Sequence, residues 1–186
     1  MGLLATPALA RDGAQIKAQF EAGVAAYDAG DYEKAFKLWW DLQYEDVAAM
    51  RNTAMMLRKG QGTTKDPRKA QELYERAAEI GLPTAQADLA DMLLKGEAGP
   101  PDLEHALPLL TAAAAANHPM AQLELGELYE TGAPPYLPKD LEISRQLYAA
   151  SASHGSSEAA ARLAALPPPA PADTAKPGAQ PPGPKP

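Results

Sequence analysis

Four carboxylates stand out by their spacing, Asp88 with Asp91 and Glu124 with Glu127. An i, i+3 separation puts both members of a pair on one helical face. The two pairs lie 36 residues apart (124−88 and 127−91), and one step earlier the same positions hold Asn52 and Met55. Such a stripe could hold a basic or polar peptide segment by charge complementarity. It equally describes a solvated, solubilising face. Cation coordination is disfavoured, because no loop supplies further oxygens.

The aromatic pair Trp39-Trp40 offers a second kind of chemistry. Trp39 falls in register with Tyr74, Leu110 and Tyr148 and reads as a core anchor. Trp40 aligns with Glu75, Thr111 and Ala149, positions without apolar preference. Its indole either packs under the N-terminal segment or stands exposed as a binding hot spot. The histidines, His105, His118 and His154, fall in three different units and do not read as a metal set. His118 and His154 sit near helix ends, where a cationic ring favours the helix dipole. Gly60, Gly62 and Lys65 lack the spacing and the preceding strand of a phosphate loop. No nucleophile, base and orienter can be assembled, so no catalytic residue, metal ligand or cofactor site is expected.

Composition narrows the classes further. Lys plus Arg is 17 against Asp plus Glu at 24, a formal net charge of −7. That balance argues against nucleic acid, which requires a basic face, and against an anionic membrane surface. There is no cysteine, which excludes disulfides and thiolate zinc sites. No apolar run approaches the roughly 20 residues needed to cross a bilayer. Sparse β-branched residues and abundant Ala and Leu point to an all-α chain.

The elements that position these residues follow from a repeat. Ala49, Ala85 and Ala121 recur at 36 residues, as do Gly60, Gly96 and Gly132, Met56, Met92 and Leu128, and Leu57, Leu93 and Tyr129. Asp66 and Asp102 keep the step. Asp140 comes two residues late, because Pro134-Pro135-Tyr136-Leu137-Pro138 lengthens the loop. Each unit reads as two helices. Helix A (about 48–59 in the first copy) carries a buried stripe at Ala49, Thr53, Ala54, Met56 and Leu57 and ends at Gly60 as a left-handed cap. Helix B starts at Asp66 as N-cap, with Pro67 in its first turn, and buries Ala70, Leu73, Tyr74, Ala77 and Ala78. Small Ala54, Ala90 and Gly126 mark a close crossing of the paired helices. Gly81, Asn117 and Gly155 close the units, Asn being the next best residue after Gly for a left-handed backbone. Pro108 should kink or delay its helix.

The division that results has a tetratricopeptide-like pair at 14–47, with helix B running through Phe36, Leu38, Trp39 and Leu42, then repeats at 48–83, 84–119 and 120–156. A closing helix follows at 157–166. Met1 to Ala10 ends in the small-x-small triplet Ala8-Leu9-Ala10 and reads as the remnant of a signal peptide or as an ordinary frayed terminus. Residues 167–186, nine of them proline, read as a disordered tail, a spacer rather than a docking ligand. The fold expected is a right-handed α-solenoid of stacked helix-turn-helix repeats.

The segments Ala85 to Gly96 and Ala121 to Gly132, with Gly60 to Ala70 followed by Tyr74 to Gly81, resemble the Sel-1-like repeat, a tetratricopeptide relative with a longer inter-helix loop. The resemblance covers about residues 14–166. It departs at Thr53, where leucine is usual, at Arg51-Asn52, at Pro108, and in lacking the cysteine pairs of one subset. It implies a non-enzymatic protein-interaction scaffold, of a kind often exported to the bacterial envelope, with helix A lining the concave surface. On that reading the partner-binding residues are Asp88, Asp91, Glu124 and Glu127, joined by Asn52, Met55 and Trp40. The partner is a protein or a basic or polar peptide, with no nucleic acid and no membrane insertion. The compartment expected is periplasmic or secreted, with the cytoplasm as alternative. A second function remains open, a structural spacer or assembly subunit of an envelope or polysaccharide-export complex.

Overall fold

The computed structural model describes residues 11–169. Among them the chain forms nine helices and no strand. They are α1 (Gly13–Asp28), α2 (Tyr32–Trp40), α3 (Val47–Lys59), α4 (Pro67–Glu79), α5 (Pro83–Lys95), α6 (Leu103–Ala115), α7 (Pro119–Thr131), α8 (Leu141–Ser153) and α9 (Ser157–Ala165). Odd-numbered helices are the A members of the pairs and even-numbered ones the B members. Each helix packs mainly on its neighbours in the chain, which is the arrangement of an α-solenoid. The expected signal-peptide remnant (1–10) and most of the proline-rich tail (170–186) lie outside the described residues.

Local chemistry sets the boundaries. Asp66, Asp102 and Asp140 accept hydrogen bonds from the backbone N–H groups of Lys69, His105 and Ile143, satisfying donors that a helix start leaves free. Gly60 and Gly96 end α3 and α5 with φ of 72° and 65°. One backbone bond then closes each A–B loop, since the N–H groups of Asp66, Asp102 and Asp140 donate to the carbonyls of Leu57, Leu93 and Tyr129. Pro108 neither delays nor interrupts α6, which begins directly after its Asp102 cap and runs 13 residues like its counterparts. Leu42 falls beyond α2, in the turn that follows it, yet remains fully buried.

One large anchor per pair fills the core. Trp39, Tyr74, Leu110 and Tyr148 are each at most 2 % exposed, and burying a side chain of this class contributes about 1.5–3 kcal/mol. The facing position must be small. A Cβ on Gly126 would lie 2.7 Å from the Tyr148 ring, and one on Gly23 would run into the Trp39 indole. Ala54 and Ala90 do the same for the middle pairs and are fully buried. Thr53, buried where leucine is usual, satisfies its hydroxyl by donating to the Ala49 carbonyl at 2.8 Å. A further device repeats with the fold: the Nε2 amides of Gln86 and Gln122 donate to the carbonyls of Ala78 and Ala114, tying each A helix to the end of the preceding B helix.

Candidate functional site

The A helices bring the four singled-out carboxylates onto one face, and each finds a different environment there. Asp88 on α5 accepts from Arg51 Nε on α3 at 2.6 Å. Asp91, one turn on, accepts from Arg58 of α3 and pairs with Lys95 Nζ at 2.7 Å. Arg58 also donates through Nε to Glu97 at 2.8 Å. Burial alone would raise the Asp91 carboxyl, but the hydrogen bonds from Lys95 and Arg58 prevail and hold it below its ordinary value. Glu127 on α7 is met from the other side by Arg162 of α9 at 2.7 Å. Two arginines therefore bridge α3 to α5, and one bridges α7 to α9.

No ion pair crosses from α5 to α7 among the described residues. Here Glu124 is half-buried, and its Oε2 is inaccessible to solvent without a hydrogen-bond partner. Burial, and then the nearby charges of Asp91 and Glu127, push this carboxyl up to about 7, against the weaker opposing pull of Lys95 and Arg58. Glu127 is also raised, by burial first, with Arg162 opposing. Beside them an open hollow of about 590 Å³ runs across α5, α7 and α9. Five carboxylates (Asp91, Glu124, Glu127, Glu130 and Glu158) and two cations (Lys95 and Arg162) line it, with Leu94, Met120 and Leu123 as its apolar wall.

The remaining candidates lie elsewhere. Asn52 accepts from the Arg51 guanidinium at 3.3 Å. Met55 is half-buried against two core clusters. Trp40 sits on α2, a B helix, 38 % exposed, with its ring 5.5 Å from that of Phe36. Nearby Tyr44 lies under the Arg76 guanidinium at 4.7 Å. His118 corrects one expectation. It caps the start of α7, its Nδ1 accepting from the Ala121 N–H, a role that needs a neutral ring rather than a cation at a helix C-terminus. Burial accordingly lowers its pKa. His154 does lie at a helix C-terminus, against the Ala150 carbonyl, and His105 pairs with Asp102. No group of three His, Cys, Asp or Glu is placed to hold a metal ion among the described residues, and none of their helices is long and apolar enough to cross a membrane.

Sequence reasoning missed the arginines. Arg51 lies 37 residues before Asp88, and Arg58 lies 33 before Asp91. Cross-unit pairs in a 36-residue repeat should sit near one period, and opposite charges at that separation were the available signal.

Comparison with known proteins agrees with this architecture. The Sel1 repeat family model matches residues 16–39, 47–82, 83–118 and 119–156. A Sel1 repeat protein from Oxalobacter formigenes is similar at 32 % identity and a TM-score of 0.70, over 77 % of this chain and 58 % of that one. The Escherichia coli protective antigen c5321, which displays an SLR fold, is 25 % identical with a TM-score of 0.73, over 80 % and 32 %. The immunity protein Pa5087 from Pseudomonas aeruginosa is 25 % identical with a TM-score of 0.59, over 82 % and 58 %. The chain thus spans little more than half, or less, of the length of these neighbours. No curated protein matches.

Proposed function

The chain belongs to the Sel1 repeat family, whose repeats generally serve as protein-interaction scaffolds, and from that premise we propose that its A-helix face binds a positively charged, extended segment of a partner protein. The observation that carries this reading is the hollow across α5, α7 and α9, where five carboxylates stand against two cations. Charge of one sign in a recess with low-dielectric walls attracts the opposite sign and speeds encounter. Helices already fixed by their neighbours spare the ordering cost that a loop site incurs on binding. The stripe of Asp88, Asp91, Glu124 and Glu127 contributes unequally: Asp88 is occupied by Arg51, Asp91 by Arg58 and Lys95, and Glu127 by Arg162, so the recognition falls first to Glu124.

We place this encounter in the periplasm. Support comes from the Ala8-Leu9-Ala10 triplet and from the bacterial origin of the similar structures. No catalytic step is assigned to the site.

The test is site-specific photo-cross-linking in cells. A photoreactive residue is placed at Met120 or Asn52 on the A face, and at Tyr44 or Glu75 on the B side. The proposal expects a discrete adduct from the A-face sites, weakened by added salt as exposed charges are screened. Adducts arising from the B-side sites alone overturn it.

A further inference from the structure

The repeat itself shows what belongs in the gap between α5 and α7. Stepping by 36 residues takes Asp88 to Glu124 and Asp91 to Glu127, so two of the three acceptors are retained, while Glu97 gives way to Ala133. The same step takes Arg51 to Ala87 and Arg58 to Leu94, so both donors are gone. In the preceding unit two guanidinium groups fill this place, at 2.6 Å from Asp88 in one case and on Asp91 and Glu97 in the other. Here the hollow opens instead, bounded by Leu94 at the register of Arg58 and by Glu124 and Glu127.

We propose that the α5–α7 gap is a receptor for an arginine side chain presented by a partner polypeptide, with Glu124 accepting the guanidinium as Asp88 accepts that of Arg51. The inference rests on the A-face reading above and gives it a specific chemistry. Three further features fit. The Glu124 side chain lines the hollow and has no ion-pair partner among the described residues, whereas Asp88 at the same register is held by Arg51. Leu94, Met120 and Leu123 form a wall for the three methylenes of an arginine stem. A planar guanidinium is weakly hydrated and matches a carboxylate with two parallel N–H donors, which a lysine ammonium does not. Because burial keeps Glu124 partly protonated near neutral pH, arrival of the cation releases a proton.

The experiment titrates the full chain with three capped peptides, acetyl-Gly-Arg-Gly-amide and its lysine and citrulline analogues, followed by ¹H–¹⁵N NMR. Citrulline keeps the shape of arginine without its charge. The arginine peptide should perturb the amides around Glu124 and saturate, with lysine several-fold weaker and citrulline at least tenfold weaker. Two variants test the site. Glu124→Gln should weaken the arginine peptide at least tenfold. Leu94→Arg should abolish its binding, because the new side chain, at the register of Arg58, occupies the hollow from within the chain. Citrulline binding as well as arginine, no saturation by the arginine peptide, or unchanged binding in Glu124→Gln overturns the inference. The Met120 cross-link separates this from the broader reading: an A-face adduct that survives Glu124→Gln leaves the interaction face standing and removes the arginine receptor.

Discussion

Replacing Glu124 by Gln preserves the shape of the side chain and removes its ionisation, which isolates the cost of holding that charge in the gap. The carboxyl titrates near pH 7 when folded, against 4.5 for an ordinary glutamate. Below pH 4.5 both folded and unfolded chains hold the proton, and the charge costs nothing. Between 4.5 and 7 the unfolded chain releases its proton first, so stability falls as pH rises. Above 7 the full cost applies. The separation corresponds to about 3 kcal/mol, and solvent reaching the half-buried side chain brings it to about 2 kcal/mol. For a chain of this size that is about 4–8 °C in melting temperature. Thermal unfolding followed by circular dichroism at pH 4, 6 and 8 reads it directly. Wild type and variant should melt together at pH 4, and the variant should melt higher by that margin at pH 8. Coincident melting at pH 8, or an equal offset at pH 4 and pH 8, would refute the argument from burial and like charge.

Other perturbations follow the same logic. Arg58→Met leaves Asp91 and Glu97 facing each other without their shared cation, at a site where the arginine side chain is 14 % exposed. Urea unfolding should show a loss of about 2–3 kcal/mol, reduced when both acids are also neutralised to Asn and Gln. Gly126→Ala gains about 1 kcal/mol in helix propensity. Its new Cβ meets Tyr148 at 2.7 Å, and overpacking of about 1–3 kcal/mol prevails. The net effect in chemical denaturation should be a loss, one that Tyr148→Leu makes smaller. Asp140→Ala strips the cap from α8, whose first N–H groups at Glu142 and Ile143 it satisfies. A drop of about 1 kcal/mol is expected in the same assay.

The fold was largely legible because each of its instructions is local or periodic. Asp66 before Pro67, glycine at Gly60 and the small residue at Gly126 facing Tyr148 each state a geometric requirement that neighbouring residues alone can express. Asn117 confirmed this at the finest level, adopting φ of 62° where the other units use glycine. The candidate site was legible only in part. Spacing placed Asp88, Asp91, Glu124 and Glu127 on one face. Their environments depend on residues a full repeat away, Arg51 and Arg58 on one side and Arg162 on the other. Equal spacing therefore concealed unequal chemistry: Asp88 is paired, whereas Glu124 is desolvated and alone. His118 shows the same limit. Proximity to the end of α6 suggested a cation, but its ring faces forward onto α7, a direction that linear order does not encode.

The uneven distribution of arginines along the A face also has a mechanical meaning. In a linear array each joint between units bends separately, and nothing distant stiffens it. The joint from α3 to α5 is bolted by two guanidinium groups and that from α7 to α9 by one, while the joint from α5 to α7 has none among the described residues. Of these three consecutive joints, the one from α5 to α7 is therefore the least braced by charge. A small rotation there changes the distance between the two ends of the array far more than the same rotation at either terminus. A guanidinium bound in the gap, as proposed above, would supply there the brace that Arg51 and Arg58 supply one repeat earlier.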